Sequence, residues 1–366
     1  MSTNIEWTDE TWNAITGCAP ISPGCKLCYA LKEHARRHKA FLSGKKMAPQ
    51  YSQPFEVVQC HPSRLDIPLH WRQPRLCFVA SGADPFHEDV PRGFLDLMFA
   101  AMGIASTITF QMLTKRPEGM LAYYQALQSA ADSWQAKLRA ESREGERCRY
   151  CVCTEGAPCP VHRRGNTFTS SDVLNLRQLA SSPQIGGTLG QAFHRPWPLP
   201  NLWPGVSVES KKYLYRLDRL REIPAAVRMV SFEPLLEDLG EVNLQGIGWA
   251  IVGGESGHGA RPCHPDWVRS LRDQCVARGV PFFFKQWGEW EPLRDRAIEP
   301  SGDLYAGFGI HNRAVTRWPD NSISIRAGKK HSGAELDARE WREFPKPYPG
   351  HEVIRLQRQR QRAVAA

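Results

Sequence analysis

The chain has 366 residues, 42% of them hydrophobic and 23% charged, with a net charge of +9. That is enough apolar material for a large core, so global disorder is excluded, and no apolar run approaches the length of a membrane-spanning helix. The N-terminal stretch MSTNIEWTDETW lacks the basic and apolar regions of a signal peptide, so a cytoplasmic protein is expected, in which clustered cysteines read as metal ligands or reactive thiols rather than disulfides.

The first motif is TGCAPISPGCKLCYA, which places Cys18, Cys25 and Cys28 in a C-x6-C-x2-C pattern. A structural zinc site wants four ligands, commonly as two spaced pairs. Three thiolates suit a 4Fe–4S cluster that keeps one iron open for a small molecule. A zinc ion completed by a distant His or Cys is the competing reading, and unligated cysteines a third.

Six short apolar runs rich in Val, Ile and Phe follow: RLCFVASGADPFHED (75–89), ITFQMLTKRP (108–117), NLWPGVSVES (201–210), VRMVSFEPLL (227–236), GWAIVGGESG (248–257) and PFFFKQWGEW (281–290). Helix-like stretches such as FLDLMFAAMG, KKYLYRLDRLREI and DWVRSLRDQCVARG lie between them. This alternation predicts βαβ units and a parallel sheet. Candidate functional residues recur just past the apolar core of each run: Asp84 and Glu88, Thr114 and Lys115, Ser207 and Glu209, Ser231 and Glu233, Gly253 to Glu255, Lys285 and Gln286. The C-terminal strand ends of a parallel α/β barrel carry its active site. The expected fold is therefore α/β, a partial parallel (β/α) barrel over residues 1–290.

Two regions break the rhythm. Residues 128–198 are too long for a plain connection and read as an insertion. Within it, Cys148, Cys151, Cys153, Cys159 and His162 form C-x2-C-x-C-x5-C-x2-H, the donor set of a metal knuckle, most simply Zn²⁺. An auxiliary Fe–S cluster is the alternative. Residues 291–366 read as a C-terminal extension with a basic tail, RLQRQRQR. That tail, HARRHK (34–39) and GKK (44–46) fit either solvated surface or contact with nucleic acid.

The stretches IEWTDETWNAITGCAPISPGCKLCYA, FHEDVP, TFQMLTKRPE, GVSVES, FEPLL, IVGGESGHGARPCHPDWVRSLRDQC and GVPFFFKQWG resemble a phage- and bacterium-associated family named only after phage gene products, whose members carry a three-cysteine motif. That family in turn resembles the radical S-adenosylmethionine (SAM) superfamily, near the branch that includes spore photoproduct lyase. The commonest spacing there is C-x3-C-x2-C, shorter in the first loop than here.

The resemblance implies a barrel of radical SAM type, a 4Fe–4S cluster on Cys18, Cys25 and Cys28, and reductive cleavage of SAM with an electron donor. It implies Gly82, Asp84 and Glu88 near the SAM amino group and Lys115 toward a carboxylate or phosphate. Ser207 and Glu209 would lie at the ribose, and Gly253 and Gly254 at the adenine. The bland readings are a helix cap for Asp84 and Glu88, surface charge for Lys115, a salt bridge for Glu209 and a tight turn for the glycines. The resemblance also implies a partner protein encoded nearby and a substrate that includes nucleic acid among its candidates. A zinc-stabilised nucleic-acid-binding protein without redox activity is the alternative function.

Overall fold

The structure is a computed structural model, and it describes residues 3–129, 198–293 and 314–346. The insertion ligands Cys148, Cys151, Cys153, Cys159 and His162, and the tail beyond 346, lie outside the described residues.

Seven strands form one parallel sheet in the order β1 (Glu10–Trp12), β4 (Arg75–Val79), β5 (Ile108–Thr114), β6 (Leu202–Ser207), β7 (Met229–Phe232), β8 (Trp249–Gly253) and β9 (Phe282–Gln286). The sheet curls into a half-barrel whose end strands β1 and β9 do not pair. A short antiparallel pair, β2 (Ile15–Thr16) with β3 (Gln59–Cys60), follows β1. The six apolar runs each supply one strand, and Glu10–Trp12 adds a seventh ahead of Cys18.

Period-2 alternation sorts each strand into two faces. Cys77, Val79, Phe110, Met112, Val206, Val230, Val252 and Phe284 point outward into the main core. There they meet α2 (Arg92–Ile104), α3 (helical residues 117–129), α4 (Tyr215–Arg221) and α5 (Pro265–Ala277). Leu76, Trp203, Met229, Trp249, Ile251 and Phe283 point into the concave face and pack with Trp7, which the chain inserts ahead of β1. Gln111 on β5 donates to the Trp7 carbonyl at 3.1 Å. The indoles of Trp7 and Trp203 both meet Trp249 edge-on, with ring centroids 6.3 and 6.0 Å apart. This aromatic floor fills the N-terminal half of the concave face.

The segment read from sequence as an extension is in part bound to the barrel. β10 (Trp290–Pro292), β11 (Val315–Arg317) and β12 (Ile323–Arg326) form a small antiparallel sheet. Residues 341–343 run antiparallel to β9, with Phe284 N–H donating to Trp341 O and Glu343 N–H to Phe282 O. Among the described residues no helix is long and apolar enough to cross a membrane.

Candidate functional site

The three cysteines occupy one loop at the C-terminal ends of the strands. Gly17, just before Cys18, has φ of +90°, and a Cβ there would lie 2.3 Å from Val57 O. Only glycine fits both demands. Its N–H donates to Gly82 O, and Cys18 N–H donates to Phe55 O, which ties the loop to the end of β4 and to segment 49–57. Cys25 closes the 3-10 turn Pro23–Cys25, and Cys28 is the N-cap of α1 (Tyr29–Leu42). All three are half-buried free thiols.

Two cations flank them. Lys115 Nζ lies 3.8 Å from Cys25 Sγ, and Arg116 Nη1 lies 3.6 Å from Cys18 Sγ. Arg116 also holds Ala19 O and the carboxylates of Asp84 and Glu88. Burial, reinforced by Asp84, pushes the Cys18 thiol up to about 11. Burial works the same way on Cys25, but Lys115 and the hydrogen bonds from Ile21 and Ser22 outweigh it and hold that thiol below its ordinary value.

Beside the loop is a cavity of about 530 Å³, within the usual range for small-molecule sites. Cys28, Tyr29, Lys115, Glu233, Gly254 and Lys285 contribute to its wall. The inward period runs Met229, Ser231, Glu233 along β7 and Phe283, Lys285 along β9, so Glu233 and Lys285 reach the same interior and pair at 3.0 Å. Burial opposes the charge on Lys285, yet Glu233 beside it raises its pKa above the ordinary lysine value.

The sequence-expected residues divide. Lys115, Cys28 and Gly254 line the cavity. Gly82 anchors Gly17. Asp84 is an internal hub rather than a helix cap: it accepts from Phe86 N–H at 3.0 Å, Thr114 Oγ1 at 2.6 Å and Lys115 N–H at 3.0 Å. Glu88 is exposed and pairs with Arg116 at 3.2 Å. Glu209 is fully buried and pairs with Arg216 at 3.0 Å, and Ser207 O accepts from the same guanidinium. Neither Ser207 nor Glu209 lines the cavity. Instead Glu209 backs the thiol loop, for a Cβ on Gly24 would meet its side chain at 3.2 Å. Protein atoms crowd both glycines: a Cβ on Gly253 would stand 2.5 Å from Glu233 Oε1, and one on Gly254 would stand 2.0 Å from Trp287 O. Arg116, Tyr29 and Arg261 escaped sequence reasoning. Arg261 joins Glu255 to Pro23 O in the thiol loop.

Tetrahedral zinc with thiolates at about 2.3 Å needs sulfurs roughly 3.8 Å apart. Among the described residues the one group of three ligand atoms within 4.8 Å is His264, Asp266 and Asp320, so the three Sγ atoms are spread wider than one zinc ion takes. The His264 group is a capping device. Nδ1 accepts from Asp266 N–H at 3.1 Å, which leaves Nε2 to donate toward Asp320 at 3.1 Å, and Asp266 turns to Arg269 at 2.7 Å.

No curated protein and no solved structure matches the chain. A family model described as a protein of unknown function, DUF5131, matches residues 2–345, and the chain accordingly belongs to the DUF5131 family.

Proposed function

We propose that the chain is an iron–sulfur enzyme of the radical SAM type. In this reading Cys18, Cys25 and Cys28 hold a 4Fe–4S cluster, and SAM binds in the adjoining cavity. The observation that carries it is the placement of Cys28 and Tyr29 on the wall of a 530 Å³ cavity at the C-terminal ends of a parallel half-barrel. Of the three cysteines Cys28 is the one on that wall, so a metal held by the loop would border a space large enough for a cofactor. The resemblance of the three-cysteine stretch to radical SAM proteins supports the same assignment.

Such a cluster, when bound, supplies the electron that cleaves SAM to a 5′-deoxyadenosyl radical. The chain's own residues do the rest. Lys115 and Arg116 offset the negative charge that three thiolates bring. Glu233 and Lys285 present an acceptor and a cation to a ligand bearing an ammonium and a carboxylate. The floor of Trp7, Trp203 and Trp249 keeps water from the concave interior.

Anaerobic purification, reconstitution with iron and sulfide, and EPR spectroscopy with and without SAM test the reading. The expected result is a reduced-cluster signal that changes on adding SAM, and loss of that signal in Cys25→Ala. A signal indifferent to SAM overturns the SAM site. Stoichiometric zinc at this loop, with no iron taken up, favours the zinc-stabilised protein instead.

A further inference from the structure

The segment that leaves the thiol loop carries a strong excess of positive charge. Residues 26–46 contain seven Lys or Arg side chains and a single carboxylate, Glu33. α1 explains how this charge is displayed. Its inner face is fixed to segment 49–57: His34 and His38 bond to the carbonyls of Gln53 and Tyr51, both at 2.8 Å, and Arg37 is held by Tyr51 Oη and Glu33. Lys26, Lys32, Arg36, Lys39, Lys45 and Lys46 are exposed.

Helical periodicity turns part of this set into a stripe. Tyr29, Lys32, Arg36 and Lys39 lie at i, i+3, i+7 and i+10, within one narrow arc of the helix. Tyr29 is 59% exposed while also contributing to the cavity wall. Its hydroxyl donates to Ser81 O, so the ring is held in place at the cavity. Arg36 forms an exposed ion pair with Glu33 at 2.9 Å, Lys32 hydrogen-bonds the His258 carbonyl at 3.5 Å, and no ion pair is formed by Lys26, Lys39, Lys45 or Lys46 among the described residues. Cations held on a rigid helix gain by releasing the counterions of a polyanion, and an exposed ion pair such as Arg36–Glu33 is weak enough to yield to a phosphate; an aromatic at the end of the row offers a stacking face to a base. An anionic membrane would want a continuous apolar face beside the cations, whereas the stripe has one aromatic and three cations.

We infer that the exposed face of α1 is a nucleic-acid docking surface, with Lys32, Arg36 and Lys39 on the phosphate backbone and Tyr29 under a base beside the cavity. As a statement about the enzyme's substrate, this rests on the reading of the cavity as the reaction site. As a statement about binding, it stands without the cluster.

The full chain is titrated against fluorescein-labelled 20-mers of mixed sequence, single- and double-stranded, over a series of salt concentrations. The Lys32→Gln/Arg36→Gln/Lys39→Gln variant is compared with Lys212→Gln/Arg219→Gln/Arg278→Gln, which removes equal charge from the outer helices. Removing three phosphate contacts lowers the slope of log K against log[salt] by about 2 to 3. We expect that loss, and at least tenfold weaker binding at 0.1 M salt, in the α1 variant alone. Tyr29→Ala weakens single-strand binding by roughly tenfold, the loss of one stacked base, without changing the slope. Circular dichroism and cluster content report separately on folding and on the metal assignment. Absence of binding by the wild-type chain overturns the inference, as do equal losses in both triple variants. Binding to anionic vesicles in preference to either oligonucleotide overturns it too.

Discussion

Glu233 and Lys285 pair at 3.0 Å across the width of β8, and the residue they pass over is Gly253. A Cβ at Gly253 would stand 2.5 Å from Glu233 Oε1. The missing side chain and the ion pair are one arrangement. Gly253→Ala therefore pushes the carboxylate aside and destabilises the fold by ~1–3 kcal/mol, the range for overpacking. In a Glu233→Ala background the same substitution costs much less, because the clashing atoms are gone. Urea denaturation of the four proteins in this cycle checks it, and additive losses would refute the coupling.

The two flanking cations make different thiols of Cys18 and Cys25. The thiolate is the nucleophile, and Cys18 is pushed to about 11 while Cys25 is held below its ordinary value. At pH 8 the metal-free chain should be alkylated by iodoacetamide about tenfold faster at Cys25 than at Cys18. A larger gap in thiolate fraction is partly offset by the lower intrinsic nucleophilicity of the more acidic thiol. Peptide mass spectrometry resolves the two sites. Lys115→Gln narrows the difference, and an unchanged ratio would show that Lys115 does not act on Cys25.

His61 braces the strand before the thiol loop through a 2.8 Å contact between Nε2 and Thr16 Oγ1. Burial, with Arg64 nearby, lowers its pKa from 6.5 to about 4. Between those values the unfolded chain binds a proton that the folded chain refuses, so stability rises with pH across the window. The contribution of His61 is complete above about 6.5 and disappears as pH falls to about 4. The stability difference between wild type and His61→Gln should drift over pH 4–6.5 and stay flat from 7 to 8.5. A drift confined to the alkaline range would contradict the assignment.

Beneath the same loop, Glu209 and Arg216 form a pair that is almost wholly buried, with the guanidinium 4.1 Å from the Tyr213 ring centroid. Removing one member leaves an uncompensated charge in the core, at about 3–5 kcal/mol. Glu209→Gln is expected to show that loss in urea, and Glu209→Leu/Arg216→Met to recover most of it. Since Gly24 rests on Glu209, the proposed cluster predicts that iron uptake by Glu209→Gln falls in parallel with stability.

The strands were legible because buried parallel strands are short, continuous apolar runs with polar residues at their exits. RLCFV, ITFQMLT and WAIVG each became a strand as written. The interior orientation of Glu233 and Lys285 was also latent in that pattern, since both keep the inward period of their strands. The fate of Glu209 was not. An acid one step past a strand reads the same whether it meets a cavity or a guanidinium, and its partner Arg216 comes from the following helix. Arg116 was hidden for a similar reason: its contacts with Cys18 and Ala19 span nearly a hundred residues. β11, β13 (Glu335–Leu336) and β14 (Arg339–Glu340) are two or three residues long, too short for any periodicity to register.

The run from Trp341 to Glu343 occupies the otherwise unpaired rim of β9, where Arg342 also donates to the carbonyls of Phe284 and Lys285. An open parallel sheet with a bare terminal strand is a template for a neighbour's backbone. Shortening the chain at 340 would strip that seal from a phenylalanine-rich border and invite self-association, so affinity handles and truncations belong beyond residue 346.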